Sequence, residues 1–252
     1  MVRLVAFPGI ASAVPGLAHG VTERGGGTSH GPYASLNLGA SCGDDPDAVA
    51  ANGQRLAEAL GGPVRFPRQV HGCTVLSLDA IPAGRLPEGD AVTTATRGAA
   101  VGVLGADCPG VLLVDPVRHA LALVHSGWRG TLAGIVPATV EALAARHGSR
   151  PRDLLAGIGP GISARAYEVG PEVAGAFCEG FPGAAECLAR GRLDRSHLDL
   201  SLAIRLQLLR SGIPSGSIES TEACTFLEPS RFFSHRRDGP LTGRHALVAM
   251  WT

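Results

Sequence analysis

The residues best suited to chemistry fall in one stretch, CPGVLLVDPVRHALALVHSGWRG, running from Cys108 to Gly130. Two apolar runs flank the turn-forming segment at 115–119, so the stretch reads as a β-hairpin. A hairpin centred near Val117 sets Cys108 and His125 opposite each other, to within one residue, at its open end. Facing side chains on paired strands have Cβ atoms roughly 4.5–5.5 Å apart, near enough for a thiolate and an imidazole to share one metal ion. His71 is the best third ligand. It closes an expected strand at 65–70 and precedes Gly72, and Gln69 shares its face two residues earlier. The same pair permits a second chemistry, with Cys108 as nucleophile and His125 as its base. Directly after His125, the segment Gly127–Gly130 leads into an expected helix. Its backbone N–H groups could meet an anion, and Arg129 adds a cation. A second glycine loop, at 157–163, lacks both the dinucleotide spacing and the P-loop lysine and reads as a tight backbone turn.

Composition narrows the field. The chain has 252 residues, 45% hydrophobic and 17% charged, a globular balance rather than a disordered one. Lys+Arg and Asp+Glu both number 22, so the basic excess expected of a nucleic-acid binder is absent. Every one of the basic residues is arginine. That excludes Schiff-base, P-loop and kinase-type lysine chemistry and leaves Arg or His to hold any anion. The six cysteines form no C-x-x-C pair, which implies reduced thiols and a cytoplasmic protein. Apolar runs fall short of the ~20 residues a membrane span needs. Pro8 and Gly9 end the first apolar run at once, which argues against a signal peptide.

These residues need a scaffold, and the pattern predicts a single mixed α/β domain. Strands are expected at 2–7, 64–70, 73–78, 90–95, 100–105, 111–115, 119–125, 154–158, 217–221 and 245–251. Helices are expected from Asp45-Pro46 to Leu60, over 131–147 with Pro137 shifting or kinking its start, and over 171–180 and 199–211. Residues 22–43 read as one long polar loop.

Ordered blocks along most of the chain carry a resemblance. They are RGGGTS from Arg24 to Ser29, SLNLG from Ser35 to Gly39, Gly43–Asp45, RQVHG from Arg68 to Gly72, and Gly89–Ala91. Then come Ala106–Cys108, HSGWRG from His125 to Gly130, Gly159-Pro160 with YEVG from Tyr167 to Gly170, and His197–Leu200. Cys224-Thr225, Ser234 with Arg236–Asp238, and Thr242–Arg244 close the series. In these blocks the chain resembles the laccase-domain, or YfiH-like, proteins, known both as polyphenol oxidases and as zinc-containing purine nucleoside phosphorylases. The resemblance implies a layered α-β-β-α sandwich. It implies that His71, Cys108 and His125 hold a metal, zinc in the first instance with copper possible in vitro. It implies phosphorolysis of adenosine, inosine, guanosine and methylthioadenosine, with deamination of adenosine beside it. Purine nucleoside and phosphate are then the partners, with neither nucleic acid nor membrane. Four departures stand out: Pro109 follows Cys108 directly with Gly110 in the usual proline place, His235 replaces an expected tyrosine, Arg165-Ala166 replaces cysteines common before Tyr167, and Ser126 replaces a usual alanine.

Chemistry sorts these activities. A multicopper cluster needs many histidines, commonly in His-x-His pairs; this chain has nine histidines and no such pair. Phosphorolysis needs cations and N–H groups on the phosphate, for which Arg129 and Arg24 are the candidates, with Ser29, Asn37 and Gln69 as further substrate contacts. Deamination suits a metal that acidifies water for attack on C6 of adenine, although the H-x-E…P-C-x-x-C signature is missing. Asp90 or Glu168 could shuttle the proton, and Asp107 should point away from Cys108 as a structural residue. Two alternatives remain: a Cys108/His125 hydrolase, for example one that edits cell-wall precursors, and a non-catalytic zinc-containing binding protein.

Overall fold

Two β-sheets lie face to face with helices on both outer surfaces. The structure is a computed structural model and describes residues 1–252. The chain opens with β1 (Leu4–Val5), α1 (Pro8–Ala13) and β2 (Leu17–Thr22), and after a long glycine-rich loop forms α2 (Pro46–Leu60). Next come β3 (Val64–Arg65), β4 (Val75–Ser77), β5 (Ala91–Thr94), β6 (Ala100–Gly105), β7 (Gly110–Asp115) and β8 (Ala120–His125). They are followed by α3 (Trp128–Leu132), α4 (Ile135–His147), β9 (Leu155–Ile158), β10 (Glu168–Val169), α5 (Pro171–Gly180) and α6 (Ala184–Cys187). The last elements are β11 (Leu188–Arg190), β12 (Ser196–Leu198), α7 (Leu200–Arg210), β13 (Ile218–Ser220), α8 (His235–Asp238) and β14 (His245–Trp251).

One sheet has the order β1-β2-β14-β6-β3 and the other β13-β9-β7-β8-β5-β4; β10, β12 and β11 form a small third sheet. The apolar runs are continuous because the central strands are covered on both faces. In β8, Leu121 and Leu123 point into the core between the sheets, while Ala120, Ala122 and Val124 point to the core under α4, α5 and α7. In β14, Leu247, Ala249 and Trp251 face the inter-sheet core, while Ala246, Val248 and Met250 face the core under α2. Each fully buried leucine of this kind contributes about 1.5–3 kcal/mol. The resulting layers, α2, sheet, sheet, then α4 with α5 and α7, form the expected α-β-β-α sandwich. No helix is long and apolar enough to cross a membrane.

The expected strands at 100–105 and 245–251 and the helices at 46–60 and 171–180 match the observed bounds. Asp45 caps α2 by accepting from Asp47 N, and Gly61 ends it in the left-handed conformation. Other readings need correction. The first strand spans only 4–5, because Pro8 starts a short helix in place of its continuation. β2 lies where no strand was read; Gly20 interrupts its pattern, since a Cβ there would stand 3.0 Å from Leu4 Cβ on β1. The strand expected over 64–70 stops at Arg65, and Pro67 cannot donate to a ladder. The helix expected over 131–147 is two helices, divided at Gly134, whose φ is 80°. The small third sheet, with strands of two or three residues, was also unread.

Candidate metal centre

β7 and β8 form the predicted hairpin, but its register places Gly110, not Cys108, opposite His125. Cys108 lies two residues before the ladder, in a turn where Asp107 has a φ of 92°. That turn brings the thiol back towards the end of β8. His71 sits in an irregular segment with a φ of 59°, rather than at a strand end. The three side chains nonetheless converge. Their ligand atoms lie within 4.8 Å of one another, and the rings of His71 and His125 meet edge to face at 4.8 Å.

Asp90 explains how two distant segments hold this geometry. It is fully buried just before β5. Its Oδ1 accepts from His71 N at 2.9 Å and lies 2.8 Å from His125 Nδ1. Its Oδ2 accepts from Gly72 N at 2.7 Å and from Val70 N at 3.2 Å. Its carbonyl accepts from His125 N at 2.7 Å. One carboxylate therefore fixes the strained His71 turn and fixes the proton on His125 Nδ1, leaving Nε2 free to ligate. With both oxygens engaged in this way, Asp90 is a positioning group rather than a proton shuttle.

Electrostatics follows from the contacts. Burial pushes the Cys108 thiol up, but hydrogen bonds and charge from His125 and His71 outweigh it and bring it down to about 6. Burial also opposes charge on His125; hydrogen bonds to Asp90 and Cys108 overcome it and raise the imidazole to about 9. Burial resists ionisation of Asp90 as well, yet His125 and the Gly72 and Val70 N–H groups hold it below the usual carboxylate range. In the absence of a metal, both shifts favour a thiolate beside an imidazolium.

The donor set is two imidazoles and a thiolate, which suits zinc and other borderline or soft first-row ions. His125 is buried, Cys108 half-buried and His71 exposed, so one side faces solvent. Three ligands with an open side is the pattern of catalytic rather than structural zinc sites. Gly127 makes the room. A Cβ there would stand 2.8 Å from Cys108 Sγ and 3.2 Å from His71 Cδ2. The glycine loop at 157–163 also serves packing: a Cβ on Gly159 would lie 3.1 Å from Gly110 O, and one on Gly161 2.5 Å from Pro109 Cγ.

Asp107 ties the Cys108 turn to the rest of the rim. It accepts from Thr225 Oγ1 at 2.6 Å and from Arg236 N at 2.7 Å, the structural role expected of it. Arg129 is exposed, with its guanidinium 4.4 Å from the Trp128 ring centroid. α3 has only five residues, so the side-chain cation rather than the helix terminus is what this segment offers an anion.

The other sequence candidates lie in structural networks. Arg24 donates to Ala34 O and Pro229 O and stacks 4.6 Å from the Phe233 ring centroid. Ser29 is buried and accepts from Asn52 Nδ2. Asn37 is fully buried; its oxygen accepts from Gly39 N and Arg244 N, and its amide faces Asp44, Cys42 and Gly39. Gln69 does not turn towards His71. Its amide clamps Leu104, donating to its carbonyl and accepting from its N–H, both at 2.8 Å. The roles of Asp90 and Gly127 were missed by sequence reasoning, although both fall in the motif blocks quoted for the resemblance.

The family model described as multi-copper polyphenol oxidoreductase laccase matches residues 18–252. A purine nucleoside phosphorylase of Streptomyces coelicolor is 41% identical over 242 residues, covering 94% of this chain and 97% of that protein. One from Deinococcus radiodurans is 42% identical over 235 residues, covering 92% and 87%. Among solved structures, YlmD from Geobacillus stearothermophilus superposes with a TM-score of 0.88 at 34% identity, over 94% of this chain and 92% of its own. A Neisseria meningitidis protein gives 0.89 at 36% identity, over 99% and 98%.

Proposed function

The chain belongs to the multi-copper polyphenol oxidoreductase laccase family, and from that premise we propose that it is a zinc-dependent purine nucleoside phosphorylase with adenosine deaminase side activity. The observation that carries this reading is the convergence of His71, Cys108 and His125 with one side open, braced by Asp90. The relatives named purine nucleoside phosphorylase support the reaction class. The family's description does not decide the metal chemistry. Only three ligands converge here, too few for a cluster of several coppers. The free cysteines suit a reducing, cytoplasmic setting.

In phosphorolysis, an oxygen of inorganic phosphate forms a bond to ribose C1′ as the C1′–N9 bond breaks. The bonding pair leaves with the purine, which takes up a proton. The products are free base and ribose-1-phosphate. When bound, zinc would supply Lewis-acid stabilisation of the charge that develops. Cys108 and His125 serve as its ligands together with His71, while Asp90 holds His125 in the ligating tautomer. Arg129 is the cation proposed to meet phosphate, because no carboxylate pairs with it. Arg24 is kept as a second candidate, with its cationic charge beside loops 34–36 and 229–233.

A hydrolase reading keeps one specific support, the thiolate–imidazolium pair of Cys108 and His125. The two readings separate in one product analysis. Purified, zinc-loaded protein is given inosine or adenosine with and without phosphate. Free base with ribose-1-phosphate only when phosphate is present supports the phosphorylase. Inosine from adenosine without phosphate supports the deaminase. Turnover of neither nucleoside overturns the proposal and leaves Cys108 hydrolysis, which alkylation abolishes and chelation spares. A purely structural zinc protein would call for a fourth ligand, and the cluster has three.

A further inference from the structure

Two motif blocks, YEVG at Tyr167–Gly170 and the Arg236–Asp238 run after Ser234, take no part in the metal cluster, yet the fold brings them to its rim. The path is short. Arg236 N donates to Asp107, the neighbour of Cys108, at 2.7 Å. From there its guanidinium lies 5.1 Å from the Tyr167 ring centroid, and its Nη1 donates to Glu168 O at 2.7 Å. Tyr167 is anchored by its backbone, donating to Ser163 O and accepting from Leu198 N. Its ring packs against the core beneath α4, α5 and α7. No protein group hydrogen-bonds its hydroxyl, which is therefore free to donate. Arg236 forms no ion pair with a carboxylate, and neither does Arg129 on the Trp128 side. Burial pushes the Tyr167 phenol up to about 12, so it is a proton-bearing donor.

Resting on the phosphorylase reading, we propose that Arg236 and Tyr167 form the phosphate subsite beside Cys108, with Arg129 completing it. The arrangement fits a tetrahedral dianion better than a base or sugar. Two guanidinium groups without a carboxylate partner and one neutral hydroxyl donor suit an oxyanion, which has only acceptor atoms. The stacking of Arg236 on Tyr167 fixes its plane, and the carbonyl of Glu168 takes one nitrogen, so the remaining N–H groups are aimed rather than mobile. Asp107 does not repel the anion strongly, because its two oxygens are engaged by Thr225 and by the backbone of Arg236.

The test uses zinc-loaded Tyr167→Phe, Arg236→Gln and Arg236→Lys, with inorganic phosphate as the probe. Phosphate binding is measured by calorimetry, and the phosphate and inosine KM values are measured separately. Tyr167→Phe raises the phosphate Kd and KM about tenfold, the scale of one hydrogen bond to a charged acceptor. Arg236→Gln raises them more, and Arg236→Lys recovers part of the loss. The inosine KM and the zinc content stay within twofold of wild type. A phosphate KM unchanged in both Tyr167→Phe and Arg236→Gln, in an enzyme that does phosphorolyse inosine, overturns this subsite and leaves the functional reading standing. Conversely, wild type that binds phosphate without turnover, with binding lost in the variants, supports the subsite while the phosphorylase reading falls. Wild type that binds no phosphate overturns both.

Discussion

Asp90→Asn should damage the centre while changing almost no volume. The carboxylate accepts four hydrogen bonds, from the N–H groups of Val70, His71 and Gly72 at 3.2, 2.9 and 2.7 Å and from His125 Nδ1 at 2.8 Å. An amide has one acceptor oxygen. If that oxygen takes the His125 side, the NH₂ group faces the N–H donors of Val70 and Gly72, and both lose their partner. If it takes the other side, the amide donates to His125 Nδ1 and shifts the ring proton to Nε2, the nitrogen needed for the metal. Leaving one or two buried donors unpaired costs about 2–4 kcal/mol of stability. Removing the partner that orients a ligand histidine weakens metal affinity by about 10–100-fold. The assay is competition for zinc with a chromophoric chelator, alongside urea denaturation of the metal-free protein. Zinc affinity within threefold of wild type, together with an unmoved urea midpoint, would refute the reasoning.

Four further outcomes follow from the same geometry. Gly127→Ala weakens zinc binding by about tenfold or more, because its Cβ would press on Cys108 Sγ and His71, while its backbone, at φ −73° and ψ 171°, accommodates alanine; unchanged chelator competition would contradict this. In the metal-free protein, alkylation of Cys108 reaches half its maximal rate near pH 6, rather than near the ordinary thiol value of 9.0, and zinc protects it. The matching stability signs are opposite. The Cys108 contribution is complete above 9.0 and lost as pH falls through about 6, while the His125 contribution is complete below 6.5 and lost as pH rises through about 9. The two slopes cancel between pH 6.5 and 9, so this pair leaves the urea midpoint of the metal-free protein nearly independent of pH across that window in wild type, whereas Cys108→Ala, which lacks the thiol contribution, loses stability as pH rises; a wild-type midpoint that follows the Cys108→Ala trend would count against the pair. Asn52→Ala, which removes a buried amide holding Thr28, Ser29, Ser35 and Asn37, costs about 3 kcal/mol by urea denaturation without altering zinc affinity.

The β7–β8 hairpin was legible because both strands are buried on both faces and so read as unbroken apolar runs around a turn-forming segment. Its register differs by one residue from a hairpin centred on Val117, and Pro109 and the left-handed Asp107 take Cys108 out of the ladder. The three side chains converge all the same because a turn returns Cys108 to the strand end. The place of His71 beside Cys108 and His125 was legible, but not its support. That support comes from Asp90, and no local pattern announces a carboxylate that accepts from residues 18–20 positions earlier and from one 35 positions later. Ser29 and Asn37 look available for ligands because they stand in a glycine-rich loop, and Gln69 because it was expected on one strand face with His71; in the structure the first two bond within that loop and to Asn52 of α2, and Gln69 bonds to the backbone of β6. The short strands of the third sheet left no periodicity to read.

The most direct test of the central claim is a zinc titration of chelator-stripped protein, following phosphate-dependent formation of hypoxanthine from inosine. The account predicts activity that rises linearly and breaks at one equivalent of zinc per chain, with no rise in His71→Ala, Cys108→Ala or His125→Ala. Full activity in the stripped protein, or an undiminished rise in the Cys108→Ala variant, would contradict it.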